Sequence, residues 1–81
     1  MEQPYWRLML SYPAAHYPRG DAQVCNAVGS DDYDSGLGFG LRDMDFFFSS
    51  QAKADAALES LKAAKLPFEV TLVHIEKYGS D

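Results

Sequence analysis

The sequence predicts one small α+β domain built from four strands and two helices. Its length of 81 residues fits a single domain. Apolar residues make up 47% of the chain and aromatic residues 14%, which is enough for one core and is unlike a disordered composition. Stretches with the two-residue periodicity of strands and with the periodicity of helices follow one another along the chain, and this mixture favours the α+β class.

The first half of the chain predicts a strand, a loop and a short helix. Every second residue of Tyr5–Tyr12 is apolar and faces one side, as in a half-buried strand. Two prolines and a final glycine make Pro13–Gly20 a loop. The next residues predict a helix with Asp21 as its N-cap and Gly29 as its C-cap. The alternating pattern of Val24–Val28 leaves a strand open as the alternative.

The middle of the chain is rich in aspartate and glycine. Its composition predicts a turn over Ser30–Gly36. The glycines that follow predict a weak strand, which becomes a strong one near Leu41–Asp43. Two sets of side chains then alternate between the faces of the strong strand: Met44, Phe46 and Phe48 on one face, and Asp43, Asp45 and Phe47 on the other.

The second half predicts a helix followed by a strand. Alanine and leucine recur at helical spacing within Ser50–Leu66, and Ser49 or Ser50 is the expected N-cap. Pro67 is expected to end this helix. Phe68–Tyr78 predicts a long final strand with apolar residues on both faces. Either both faces are covered near its middle, or a β-bulge exchanges them.

The element order of strand, helix, strand, strand, helix and strand resembles the ferredoxin-like β-α-β-β-α-β arrangement. This resemblance rests on element order alone. It implies a mainly antiparallel four-stranded sheet with the helices packed on one face.

The net negative charge of the chain indicates which kinds of partner it can bind. Twelve acidic residues against seven basic ones give a formal net charge of −5, which repels phosphate backbones and anionic lipid. The chain starts without the basic region of a secretory signal, and a single cysteine, Cys25, fits a reducing compartment. We therefore expect a cytoplasmic monomer that binds a basic protein and makes no direct contact with nucleic acid or membrane.

Four short motifs that carry chemistry in other proteins are incomplete in this chain. The aspartates of residues 31–34 do not follow the spacing of an EF-hand. The glycines of residues 36–40 lack the G-x-G-x-x-G spacing of a dinucleotide site. Cys25, His16 and His74 have no third group placed to orient a base. The Arg-Gly-Asp tripeptide of residues 19–21 is interpreted as a helix start. We expect no enzymatic activity, no metal and no cofactor.

The distribution of acidic residues is the main indication of function. Five aspartates and a single basic residue, Arg42, occur between Asp31 and Asp45. Carboxylates spaced on a rigid scaffold can imitate the phosphates of a duplex and occupy a basic groove. An exposed aromatic ring among them would act as a binding hot spot. The alternative is ordinary solubilising charge. The predicted partner-binding residues are Asp31, Asp32, Tyr33, Asp34, Asp43, Asp45 and Phe47.

In size and charge the chain is similar to the small acidic anti-CRISPR proteins encoded by phages. This resemblance implies an inhibitor in the host cytoplasm, whose partner is a CRISPR surveillance complex and whose acidic face blocks the DNA-binding surface of that complex. The alternative from the fold is a regulatory module that senses a small ligand, with the glycine-rich segment lining its site.

Overall fold

The computed structural model of the protein describes residues 3–79. Four strands and two helices make up this part of the chain, together with a single 3-10 turn at Ala14–His16. In chain order they are β1 (Tyr5–Pro13), α1 (Arg19–Val28), β2 (Tyr33–Gly38), β3 (Leu41–Phe48), α2 (Gln51–Ala63) and β4 (Thr71–Tyr78).

The strands form one sheet in the order β2-β3-β1-β4, and each neighbouring pair is antiparallel. The two strands that follow helices, β2 and β4, therefore lie at the edges, and β1 and β3 lie at the centre. This order confirms the predicted ferredoxin-like α+β fold.

The core lies between the two helices and one face of the sheet. Its fully buried side chains from β1 and β3 are Leu8, Leu10, Tyr12, Met44 and Phe46. Small residues of α2, Ala54 and Ala57, let this helix lie close to the strands. Each large apolar side chain buried in this way contributes about 1.5–3 kcal/mol of transfer free energy. On the opposite face of the sheet, residues 3–79 place no helix, and we call it the open sheet face.

The helical interpretation of the first half is confirmed, but its predicted N-cap is wrong. Helix α1 begins at Arg19 after Pro18, and the Asp21 side chain makes no cap hydrogen bond. Asp21 lies in the first turn and points inward, because an arginine and two tyrosines from the strands bind its carboxylate. The predicted C-cap is confirmed, since Gly29 has the left-handed φ of 85° that glycine adopts readily.

The predicted turn over Ser30–Gly36 is wrong from Tyr33 onward, where the chain forms β2. The ring of Tyr33 packs 5.4 Å from that of Phe46 between centroids, and this tertiary contact outweighs the turn-forming composition. Strands β2 and β3 are joined by a two-residue turn, Phe39–Gly40. Both residues have positive φ, 54° and 78°, as in a type I′ hairpin turn.

The second half follows its prediction with shorter elements, and the expectation that Pro67 ends the helix is wrong, because α2 ends at Ala63 with Ala64 as its C-cap. Ser50 caps α2, because its Oγ accepts a hydrogen bond from the Lys53 N–H at 3.2 Å. Strand β4 begins at Thr71, since the ring of Phe68 is held against the buried Tyr12 ring at 4.8 Å. A β-bulge shifts the pairing of β1 with β4 between Met9 and Ser11, which confirms the bulge among the two alternatives.

Candidate acidic binding surface

The open sheet face is the surface on which most of the predicted binding residues meet. Residues directly opposite each other in an antiparallel pair share a face. Arg7 and Ser11 of β1 lie opposite Phe47 and Asp43 of β3. Their side chains point away from the helices, because the alternate residues of both strands fill the core.

Four of the five predicted aspartates lie together on this face. Asp45 is paired with Asp34 of the edge strand β2, and Asp43 precedes Asp45 by two residues on β3. Asp32 continues the same alternation beside Phe47, whose N–H donates to the Asp32 carbonyl oxygen at 3.3 Å. We call these four residues, Asp32, Asp34, Asp43 and Asp45, the acidic patch.

The other two predicted binding residues lie on the opposite side of β2. Tyr33 is half-buried, and its hydroxyl donates to Asp21 Oδ2 at 3.1 Å. Asp31 lines a shallow depression with Cys25 and Asn26 at the end of α1. The structure therefore separates both residues from the acidic patch and leaves Phe47 as the aromatic residue beside it.

The acidic patch is only partly neutralised by the protein itself. Arg7 Nη1 lies 3.7 Å from Asp45 Oδ2, and Ser11 Oγ donates to Asp43 Oδ1 at 2.6 Å. Neither Asp32 nor Asp34 makes an ion pair within residues 3–79. The like charges of Asp34 and Asp45 stand directly opposite each other, an arrangement that costs a sheet about 0.2–1 kcal/mol.

A neutralised aromatic network borders the patch at the far end of β1. The Arg7 guanidinium lies between the rings of Phe47 and Tyr78, 5.1 and 4.8 Å from their centroids. A hydrogen bond with Tyr78 raises the pKa of Arg7, so this cation stays charged. The Tyr78 hydroxyl also donates to Glu76, which lowers the pKa of that carboxyl. The negative charge on the open sheet face that has no nearby counter-charge therefore lies mainly on the β2 side.

Sequence reasoning missed the buried polar network that fixes this hairpin to the helix layer. Asp21 accepts two hydrogen bonds from Arg42, 3.1 Å from Nε and 2.6 Å from Nη2, and one each from Tyr12 and Tyr33. Burial alone raises the pKa of Asp21, but these donors outweigh it and hold the pKa below its usual 3.8. The network joins α1 to β1, β2 and β3. No local pattern reveals it, because Arg42 is 21 residues away along the chain.

The burial of Asp21 also makes the aspartate of the Arg-Gly-Asp tripeptide inaccessible. Asp21 is only 7% exposed, so the tripeptide is not presented to a receptor. Gly20 allows the close approach of α1 to β1, because a Cβ atom there would lie 2.5 Å from Tyr12 Cε2.

The residues considered for catalysis lie in three different surroundings. His16 packs against the Phe68 ring, with 4.9 Å between centroids. His74 lies on the open sheet face, where its Nε2 is 3.2 Å from Glu76 Oε1. Cys25 is on α1, and burial raises the pKa of its thiol, the direction that disfavours the nucleophilic thiolate. Across residues 3–79, no group of three His, Cys, Asp or Glu side chains is arranged to hold a metal ion.

The glycine-rich segment, expected to line a ligand site in the regulatory-module alternative, lies at the end of the β2–β3 hairpin. A Cβ atom at Gly36, Gly38 or Gly40 would meet nothing within 4 Å. Phe39 at the tip of the hairpin is fully exposed, and Leu37 is 55% exposed. These two apolar side chains near the end of the β2–β3 hairpin were not predicted as functional.

The comparison of the chain with protein-family models found no match, and neither did the comparison with curated proteins. Neither helix described between residues 3 and 79 has the length and apolar character needed to cross a bilayer.

Proposed function

We propose that the protein is a non-enzymatic inhibitor that binds a basic, nucleic-acid-binding protein through the acidic patch. The observation that carries this proposal is the placement of four carboxylates on one face of a rigid sheet, with two of them unpaired within residues 3–79. Such a surface attracts a basic groove at long range and competes with the phosphates that the groove normally binds.

The like-charge neighbours in the patch support a binding role over simple solubility. Solubilising charge gains nothing from being concentrated, whereas Asp34 opposite Asp45 lowers the stability of the sheet. The arrangement therefore favours binding of a basic partner at some cost to the stability of the fold. Phe47, at the border of the patch, adds the kind of aromatic contact that anchors protein interfaces.

The particular partner we propose is a CRISPR surveillance complex in the host cytoplasm, in line with the resemblance of the chain to small phage-encoded inhibitors. The acidic patch would occupy the surface on which the complex holds its target DNA. The protein would act as a monomer, without a cofactor.

The test is a competition between the protein and DNA. Purified surveillance complexes of the different CRISPR types are incubated with the protein, and binding of a labelled target duplex is followed by fluorescence anisotropy. We expect one of these complexes to lose DNA binding, and the inhibition to weaken as salt rises because charge attraction is screened. If every complex binds DNA normally at saturating inhibitor, this partner is excluded.

Matched charge reversals locate the binding surface. The double substitution Asp32→Lys and Asp34→Lys should abolish inhibition. The substitution of Asp55→Lys with Glu59→Lys changes the net charge equally on an exposed part of α2, which covers the opposite face of the sheet. Inhibition should survive this second change. Equal loss in both variants would indicate a general charge effect and contradict the proposal.

The regulatory-module alternative gains little support from the geometry. The five best-formed depressions described in residues 3–79 are lined by other residues than the glycine-rich segment, and all five open broadly to solvent. We therefore favour the inhibitor.

A further inference from the structure

The outer edge of β2 lies directly beside the acidic patch and pairs with no other strand of residues 3–79. Within these residues β2 pairs with β3 alone. Paired residues alternate along an antiparallel ladder between those that exchange backbone hydrogen bonds and those that do not. Asp32 is bonded to Phe47, so Tyr33, Ser35 and Leu37 are the residues whose backbone N–H and C=O groups point outward.

The two edges of the sheet differ in their protection against strand addition. The edge strand β4 carries a bulge near Leu72, where φ is 53°, and charges of both signs at Glu76 and Lys77, all of which discourage another strand. Strand β2 has a regular register, no proline and no basic residue. Its protection among residues 3–79 is the negative charge of Asp32 and Asp34, which repels acidic strands and attracts basic ones.

We propose that the partner adds an extended basic segment to the edge of β2 as a fifth strand. This inference rests on the proposed function and names the form that the partner takes. An incoming strand would place alternate side chains on the two faces. On the open sheet face they would meet Asp32 and Asp34, and on the other face the exposed Leu37. The segment therefore alternates basic with apolar residues.

A second copy of this chain is a poorer occupant of the edge. Pairing of two β2 strands would bring another Asp32 and Asp34 beside a patch that already holds carboxylates without an ion pair in residues 3–79. The resulting repulsion between like charges opposes a dimer.

The test uses a synthetic eight-residue peptide of alternating lysine and valine, with a glutamate–valine peptide as the charge control. Amide resonances of the protein are followed during titration, together with hydrogen exchange. We expect the lysine peptide to slow exchange at the Tyr33, Ser35 and Leu37 amides, and the glutamate peptide to leave it unchanged.

The deciding variant is Ser35→Pro, with Ser35→Ala as its control. The Ser35 N–H points outward, so proline leaves the bonds with β3 intact but blocks those with an added strand. Binding of the lysine peptide should weaken by about tenfold or more in Ser35→Pro and stay unchanged in Ser35→Ala. Unaltered amide spectra elsewhere in the Ser35→Pro variant establish that it is folded.

Three other outcomes overturn the inference in distinguishable ways. Binding that shifts only residues of the acidic patch and survives Ser35→Pro refutes strand addition but supports the proposed function. No binding of the lysine peptide at millimolar concentration refutes strand addition, and the DNA-competition assay then decides the proposed function separately. A concentration-dependent dimer, detected by light scattering and abolished by Ser35→Pro, makes the second copy the occupant of the edge.

Discussion

Removing the charge of Asp21 should destabilise the protein more than any single change on its surface. Asp21→Asn keeps the shape of the side chain but leaves the Arg42 guanidinium, itself only 9% exposed, without a counter-ion. The asparagine amide also turns N–H donors towards the donors of Arg42 and Tyr33. Loss of one partner from a buried ion pair typically costs about 3–5 kcal/mol.

This magnitude is large for a chain of 81 residues. Two charge-assisted hydrogen bonds from Arg42, at about 1.5–3 kcal/mol each, give a similar value of about 3–6 kcal/mol. The total stability expected for this length is about 4–12 kcal/mol, at ~0.05–0.15 kcal/mol per residue. Asp21→Asn should therefore remove a substantial fraction of the free energy of unfolding.

Urea denaturation at neutral pH, followed by far-ultraviolet circular dichroism and Trp6 fluorescence, measures the effect. Asp55→Asn is the control, because Asp55 is exposed and makes no ion pair within residues 3–79; it should change stability by less than about 0.5 kcal/mol. A loss below about 1 kcal/mol for Asp21→Asn would refute the role assigned to the network.

Three further predictions concern the same framework. Gly20→Ala should lower the free energy of unfolding, measured by urea denaturation, by about 1–3 kcal/mol, because its Cβ would overlap the buried Tyr12 ring. In the control Gly36→Ala the added Cβ meets open space and should not overlap any atom. Phe39→Asn should raise the free energy of unfolding by about 1 kcal/mol, and with it the melting temperature, since asparagine tolerates the left-handed φ at this turn. An unchanged or lower melting temperature would contradict the turn assignment. The pKa of Asp21 is lower in the folded state, so its stabilisation is present above the unfolded value of 3.8 and is lost as pH falls through the folded value. The difference in stability between the native protein and Asp21→Asn should shrink correspondingly in acid, and a constant difference would contradict the pKa assignment.

The elements that sequence predicted well are those in which local pattern and tertiary packing agree. Helix α2 has both a serine cap and an apolar stripe that the sheet buries, so its start was predicted to within one residue, with Ser50 the correct member of the Ser49 or Ser50 pair. The alternation of β3 around Met44 and Phe46 fixed which face enters the core. It also indicated that Asp43 and Asp45 point the other way.

The failures occur where a distant contact decides the local structure. Asp21 is a residue type that often caps helices, but here Arg42 of β3 binds its carboxylate. Tyr33 lies in a segment that reads as a turn, yet it pairs with Phe46 and extends the sheet. The convergence of Asp32 and Asp34 with the aspartates of β3 depended on this pairing. Sequence could therefore name the acidic residues but could not say which of them meet.

The proposed role of the acidic patch is tested most directly by measuring stability and inhibition together for Asp34→Asn. Relief of the repulsion with Asp45 should raise the free energy of unfolding by about 0.2–1 kcal/mol, while inhibition of DNA binding by the surveillance complex weakens. If the acidic patch serves binding, Asp34→Asn should therefore increase stability and decrease inhibition. A variant that is more stable and inhibits as well as the native protein would contradict that role.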